Sequence, residues 1–386
     1  MEVLHHEKLC KASKLSPEGG DDGDLSSGMP DNVIANIMDR LSIKDAVGTS
    51  ILSTSWRFKW TLLTQLVFDM NFFDMLARRK IHFDKNNITR LLGHLDGAIT
   101  KFDLYVTNDI ELDDEDIHRW VMSLSRLGGL KELSLDNMHK TPVKLPTHLF
   151  PCLELKHLKL RNCVLSVSPY SRDFPKLLSL KLMCVSFQDH QCGELIAQSP
   201  LLETLEILDI KVRGGLKLVE IAKLKNIKIL YLSLCLLENM TMVRLSSVID
   251  HMSRLPNLQN LYLGFDECEF LAEGVAQNPV SATFPFLKTL FLSQIDFSSD
   301  TMLSCAFRIL FGCSNLQTLH IATYKNAVPP PLLFPQEVDC STIEQLQLRM
   351  SLFIIHHTSI DRNEKHKLAN RLLKLHRASA KADISF

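Results

Sequence analysis

The chain has no excess of charge of either sign: 43 lysines and arginines stand against 44 aspartates and glutamates, a net charge of −1 over 386 residues. A protein with no global basic field is poorly suited to a nucleic acid as its main partner. It has no apolar run approaching the length that spans a bilayer, so no membrane partner is expected. Its ten cysteines include no C-x-x-C pair. The opening residues, MEVLHHEKLCKASK, hold no apolar stretch of the secretory kind. Reduced thiols in the nucleus and cytoplasm are the expectation from both. Motifs of chemistry are missing too. There is no G-x-S-x-G, no G-x-x-x-x-G-K-[ST] and no H-E-x-x-H. Apart from His5-His6 in the leader, His356-His357 is the one histidine pair, and neighbours on a strand point to opposite faces. No catalytic residue, cofactor or metal ligand is therefore assigned. Cysteines such as Cys152, Cys184, Cys192, Cys268, Cys305, Cys313 and Cys340 read as small core residues.

The chain does have a period. Leu130-x-x-Leu133-x-Leu135 is followed by the same template at Leu155/Leu158/Leu160, Leu177/Leu180/Leu182, Leu202/Leu205/Ile207 and Ile227/Leu230/Leu232. It returns at Leu258/Leu261/Leu263, Leu287/Leu290/Leu292, Leu316/Leu319/Ile321 and Ile343/Leu346/Leu348. Weaker copies precede these at Leu63/Leu66/Phe68 and Ile99/Phe102/Leu104. Successive starts from 130 onward lie 22 to 31 residues apart, the period of a leucine-rich repeat whose short strands line a horseshoe. Cys163 and Cys235 stand where that repeat carries an inward Asn or Cys, and Met138, Val185, Ile210 and Ile295 replace it elsewhere. An irregular solenoid is expected. Helical spacing marks the returns at Asp113–Leu127, Met240–Met252 and Asp300–Phe311, and three consecutive prolines make Val328–Pro335 a loop.

Residues 1–28 carry few large apolar side chains and read as a disordered leader. From Met29 the pattern changes. Pro30 suits a first helical turn, and Val33, Ile34, Ile37, Met38 and Leu41 make one apolar stripe. Ser42 with Asp45 resembles a capping box. Trp56, Trp60 and Leu63 at helical spacing predict a third helix. The ordered residue types across Met29–Trp60 resemble an F-box: Met29-Pro30-Asp31 for Leu-Pro-Asp, Ile34, Ile37, Met38 and Leu41 at its apolar positions, Ile43-Lys44-Asp45 at its second helix start, and Ser53, Trp56, Arg57 and Trp60 for its closing S-x-x-W-R-x-x-W. It departs from that pattern at Met29 for Leu, Ser42 for Pro, and Thr54-Ser55 for Lys-Arg. The last stretch, from the expected strand IEQLQLRM through Asn363–Leu373 to Arg377–Ile384, resembles the FBD domain that ends many plant F-box/leucine-rich-repeat proteins. Leu368, Leu372 and Leu375 give it an apolar helix face, and Ile384 and Phe386 an edge strand, as a terminal cap requires.

The expected architecture is thus α/β: a leader at 1–28, a three-helix F-box at 29–62, repeats at 63–342 and an FBD-like cap at 343–386. The resemblance implies that Pro30, Ile34, Ile43 and Trp56 dock a Skp-family adaptor, and through it a cullin, or shape the helices that do. It implies a non-catalytic, target-recruiting subunit of an SCF-type ubiquitin ligase, which acts by proximity. A scaffold that does not promote degradation, or a sensor holding a small ligand, would use the same surfaces. In L-x-x-L-x-L the residue between the later leucines faces the inner wall. In order these are Ser134, Lys159, Lys181, Glu206, Tyr231, Tyr262, Phe291, His320 and Gln347. Tyr231, Tyr262, Phe291 and His320 form an aromatic row that either binds a target protein or packs on itself. Lys159, Arg161 and Lys181 form a basic patch beside it, suited to an acidic or phosphorylated segment.

Overall fold

The computed structural model describes residues 29–95, 97–108, 110, 112–149, 151–166, 174–187, 191–208, 215–237, 245–265, 283–295, 306, 308–310, 312–323 and 349–354. The leader, the proline loop and the cap residues Leu368, Leu372, Leu375, Ile384 and Phe386 lie outside them.

The chain opens with α1 (Asp31–Met38) and α2 (Ile43–Gly48). Ile34, Met38 and Ala46 are buried, and α1 packs against the turn at Lys59–Leu62. The Ser42 hydroxyl accepts from the Asp45 amide and donates to the Asp45 carboxylate, so the capping pair holds the start of α2. The third helix is absent. Short 3-10 turns at Thr49–Ile51 and Lys59–Leu62 replace it. The hydroxyls of Thr49 and Ser50 bond to carbonyls three residues back, and Ser53 and Ser55 bond each other. Such side-chain bonds compete with the helical ladder, and five hydroxyl residues within the seven positions 49–55 tip the balance.

Parallel strands follow, each returning by a crossover. They are β1 (Gln65–Phe68), β2 (Lys101–Val106), β3 (Glu132–Asn137), β4 (Val143–Lys144), β5 (His157–Arg161), β6 (Cys163–Leu165), β7 (Ser179–Met183) and β8 (Ser186–Phe187). Then come β9 (Thr204–Leu208), β10 (Ile229–Ser233), β11 (Asn260–Gly264), β12 (Thr289–Ile295), β13 (Thr318–Thr323) and β14 (Arg349–Ile354). Eleven of them make one sheet in the order β1-β2-β3-β5-β7-β9-β10-β11-β12-β13-β14, and β4-β6-β8 make a small outer one. The crossovers carry α3 (Met70–Arg78), α4 (Asn86–His94), α5 (Asp114–Leu127), α6 (Gln191–Ala197), α7 (Leu218–Ile221) and α8 (Leu245–Ser253). The expected helices at Asp113–Leu127 and Met240–Met252 are thus α5 and α8, and residues 306 and 308–310 are helical within the third. Among the described residues no helix is long and apolar enough to cross a membrane.

Every template leucine from Leu63 to Leu319 is buried, and together they form one continuous core on the crossover side of the sheet. Phe68, Phe72, Phe73, Phe83 and Phe102 meet edge to face in the first repeats, the arrangement that ring quadrupoles prefer. Asp39, just after α1, seats the N-terminal helices on the sheet: its carboxylate accepts from the amides of Thr64 and Gln65 at 2.8 and 3.2 Å and from the Thr64 hydroxyl at 2.6 Å. Those groups open β1, the sheet's first strand.

Two expectations need correction. The inward polar residue of the first strong repeat is Asn137, not Met138. Asn137 is buried; its amide donates to the Thr141 and Asn162 carbonyls at 2.9 and 3.1 Å, and its oxygen accepts from the His139 amide at 3.0 Å. Strand alternation continues straight from Leu133 and Leu135 to Asn137. After β5 and β7, and near the end of β12, Asn162, Cys184 and Gln294 adopt left-handed backbone (φ 52°, 52° and 60°). That single turn moves the inward place one residue on, to Cys163, Val185 and Ile295. There the Cys163 thiol donates to the Arg161 carbonyl at 3.2 Å. Second, the last described strand is Arg349–Ile354 and pairs Met350 with Leu319, instead of Leu346. Residues 343–348 lie outside the described residues.

Asn137 holds two carbonyls that no leucine could satisfy. Asn137→Leu is expected to cost about 1–3 kcal/mol in urea unfolding, from the loss of the three hydrogen bonds that its buried side chain makes.

Candidate functional site

Two surfaces stand out. The first is on the N-terminal helices. Pro30 is exposed, while Ile43 and Trp56 are half-buried and pack against the core. Ile34 is buried within the chain's own core, so it shapes the helix pair and cannot itself touch a partner. The most exposed of the large apolar side chains here are Ile51 (86% exposed), Leu52 (69%) and Phe58 (66%). The Arg57 guanidinium lies 5.8 Å from the centre of the Phe58 ring. The turn that ends at Ile51 touches the turn that follows Phe58. Apolar groups so exposed mark an interaction surface. Sequence reasoning passed over all three. Their one signal was negative: large apolar residues among Ser and Thr, off the helical stripe.

The second surface is the sheet face opposite the crossovers. Strand register places Val67, Asp103, Ser134, Lys159, Lys181, Glu206, Tyr231, Tyr262, Phe291, His320 and Ser351 in one cross-strand row. The aromatic four do come together. Tyr231 stacks on Tyr262 with ring centroids 3.5 Å apart and planes 7° from parallel. Tyr262 to Phe291, and Phe291 to His320, are each 5.7 Å with tilts of 32° and 38°. All four are half-buried, so they pack on one another and still face outward. The row before them holds Ile229, Asn260, Thr289 and Thr318; the row after holds Ser233, Gly264, Ser293 and Ala322.

The basic patch is a set of ion pairs. Lys159 and Arg161 lie 3.0 and 3.6 Å from Asp136, and Lys181 lies 2.7 Å from Glu206. Asp136 comes from the preceding strand and Glu206 from the following one. Each cation therefore already has a carboxylate, and the attraction expected for an acidic segment is largely answered within the wall. Tyr231 also feels this setting. Burial, then its hydrogen bond to Tyr262, then the charge of Glu206 push its hydroxyl well above the usual phenol range.

The four buried thiols among the described residues are not activated. Cys152, Cys163, Cys192 and Cys313 are buried, and burial pushes each thiol up, Cys313 to about 12. They stay protonated near neutrality and serve as core residues; Cys184 is exposed. Among the described residues no group of three or more His, Cys, Asp or Glu could hold a metal.

Known proteins match both parts. The F-box domain family matches residues 26–64, and the family of the leucine-rich repeats of the FBD-associated F-box protein At5g56370 matches residues 117–248. The F-box/FBD/LRR-repeat protein At1g13570 of Arabidopsis thaliana is 29% identical over 326 residues, 78% of this chain and 77% of that protein. The F-box protein At4g09920 of the same plant is 31% identical over 223 residues, 56% of this chain and 68% of that protein. Among solved structures, an internalin from Listeria monocytogenes aligns with a TM-score of 0.42 at 11% identity, covering 92% of this chain and 94% of that one. The architecture is that of a protein-interaction molecule, an F-box carrying leucine-rich repeats. The chain belongs to the plant F-box/FBD/LRR-repeat family.

The stack makes a spectroscopic prediction. At about pH 11, where a free phenol is largely ionised, Tyr231 is expected to stay protonated. Tyr231→Phe is then expected to remove almost no phenolate absorbance, although it is one of only five tyrosines. A loss of about one-fifth of the signal would show that Tyr231 titrates as an ordinary exposed phenol.

Proposed function

We propose that this chain is the target-recruiting subunit of an SCF-type ubiquitin ligase. Its F-box docks a Skp-family adaptor, which links it to a cullin, and its repeats hold a target protein. The F-box is assigned to 29–62, the horseshoe to 63–342 and an FBD-like cap to 343–386. The observation that carries the reading is the pairing of two open surfaces on one framework: an apolar patch at the F-box end and an aromatic wall along the repeats, tied together through Asp39 and β1. A subunit that works by proximity needs that arrangement, because a target lysine gains reactivity only when held at a fixed distance from the transfer machinery.

On the adaptor side we assign Pro30, Ile43 and Trp56, with Ile34 supporting them from the core, and add Ile51, Leu52 and Phe58. On the target side we assign Tyr231, Tyr262, Phe291 and His320. Lys159, Arg161 and Lys181 set the edge of that wall through their ion pairs. We place the protein in the nucleus and cytoplasm, which suits the buried thiols of Cys152, Cys163, Cys192 and Cys313, none of them in a disulfide.

Two double variants test this by proximity labelling in cells under proteasome inhibition. Pro30→Ala with Ile43→Ala is expected to weaken adaptor capture about tenfold or more, the usual effect of losing interface anchors, and to leave target capture intact. Tyr231→Ala with Tyr262→Ala is expected to do the reverse. Adaptor capture equal to wild type in the first variant would refute the docking assignment. Unchanged target capture by a folded second variant would place the target surface elsewhere. Targets whose lifetime is unaffected by loss of the protein would make it a scaffold instead.

A further inference from the structure

The aromatic half of the wall has a chemistry that narrows the target. Across β10 to β13, the aromatic row and the rows on either side of it carry no carboxylate, ammonium or guanidinium group. Along the row the nearest charge on the β9 side is Glu206, which is occupied by Lys181; beyond β13, Arg349 stands opposite Thr318 in the row before the rings. A charged segment would lose its hydration there and gain no opposite charge.

The rings are turned in a particular way. A ring stacked on its cross-strand neighbour points its faces along the row and its edge, with any hydroxyl, away from the sheet. Tyr231 and Tyr262 are stacked in that manner. Their exposed edges are the positive rim of the ring quadrupole. The hydroxyls of Tyr231 and Tyr262 lie at that edge, and Asn260, Thr289 and Thr318 add donors alongside. The flank made by Ser233, Gly264, Ser293 and Ala322 is small, and of the four only Ser293 is half-exposed while the others are buried, so the rings stand as a ridge above a shallow trough that opens at Ser293. Such a surface favours an uncharged ligand rich in acceptors, with compact apolar groups to fill the trough.

Spacing completes the argument. Two strand steps of a sheet cover about 9.6 Å. One turn of a polyproline II helix covers about 9.3 Å, and every carbonyl of that helix is free of internal hydrogen bonds. A segment crossing the strands along the row would bring the same side of the helix back to every second ring.

We propose that the wall from Tyr231 to His320 binds an uncharged, proline-rich target segment in the polyproline II conformation. This rests on reading the wall as the target-binding surface. A strand-like ligand is disfavoured, because each of these strands is already paired on both sides.

The test uses the full chain and a fluorescent oligoproline peptide, against a Gly-Ser peptide, an oligoglutamate peptide and a phosphoserine peptide of equal length, followed by anisotropy at low and high salt. Oligoproline is expected to bind, with the other three weaker by about tenfold or more and with little dependence on salt, since no ion pair forms. Tyr262→Ala is expected to lose about tenfold. Ser293→Glu, a half-exposed site whose change should not unfold the sheet, is expected to lose as much by placing a charge in the trough. Oligoproline binding that survives both variants would overturn the proposal. So would preferred, salt-sensitive binding of either acidic peptide. If oligoproline fails to bind while Tyr231→Ala with Tyr262→Ala still abolishes target capture in cells, the polyproline class is wrong and the wall reading stands. If target capture also survives, the wall reading itself falls.

Discussion

Everything in this molecule depends on the parallel register of neighbouring strands. Each strand hands its hydrogen bonds to the next without slippage from β1 to β11, so one position of the repeat becomes one row of the sheet. The buried leucines enforce this. A one-residue slip would turn Leu230 and Leu232 outward and bring Tyr231 into the core. Because the register is locked by burial on one face, the other face is free to carry whatever chemistry the rows spell out. The stacking of Tyr231 on Tyr262 and the pairing of Lys181 with Glu206 both follow from it.

A row of strands has an open first edge, and solenoids need that edge closed. Here the F-box does it. Asp39 satisfies two amides at the head of β1, and Trp60 meets His94 edge-on with centroids 6.1 Å apart. The four short elements of the F-box bury little area by themselves, so the sheet in turn stabilises them. The consequence for function is a fixed spatial relation between the apolar patch at Ile51, Leu52 and Phe58 and the wall that begins several strands away.

Much of this was legible in the residues. The repeat, the inward leucines and the alignment of Tyr231, Tyr262, Phe291 and His320 follow from a period of two along each strand and a near-regular spacing between strands. The F-box rested on an ordered set of residue types. What could not be read locally was pairing across about 25 residues of intervening chain. Lys159, Arg161 and Lys181 looked like a basic patch because Asp136 and Glu206 belong to neighbouring repeats. Asn137 was missed because a left-handed residue displaces the inward site at Asn162, Cys184 and Gln294, and only the backbone shows which repeats contain one.

The division has a physical cause. Sequence by itself determined the repeat, the two faces of every strand and the identity of the residues on each, because alternation and burial act over a few residues. Tertiary structure decided which charges neutralise one another, which aromatic rings stack and by which edge they meet solvent. It also decided that Ile34 is core while Ile51, Leu52 and Phe58 are surface. Those outcomes depend on distances between side chains far apart in the chain, and a period carries no information about distance.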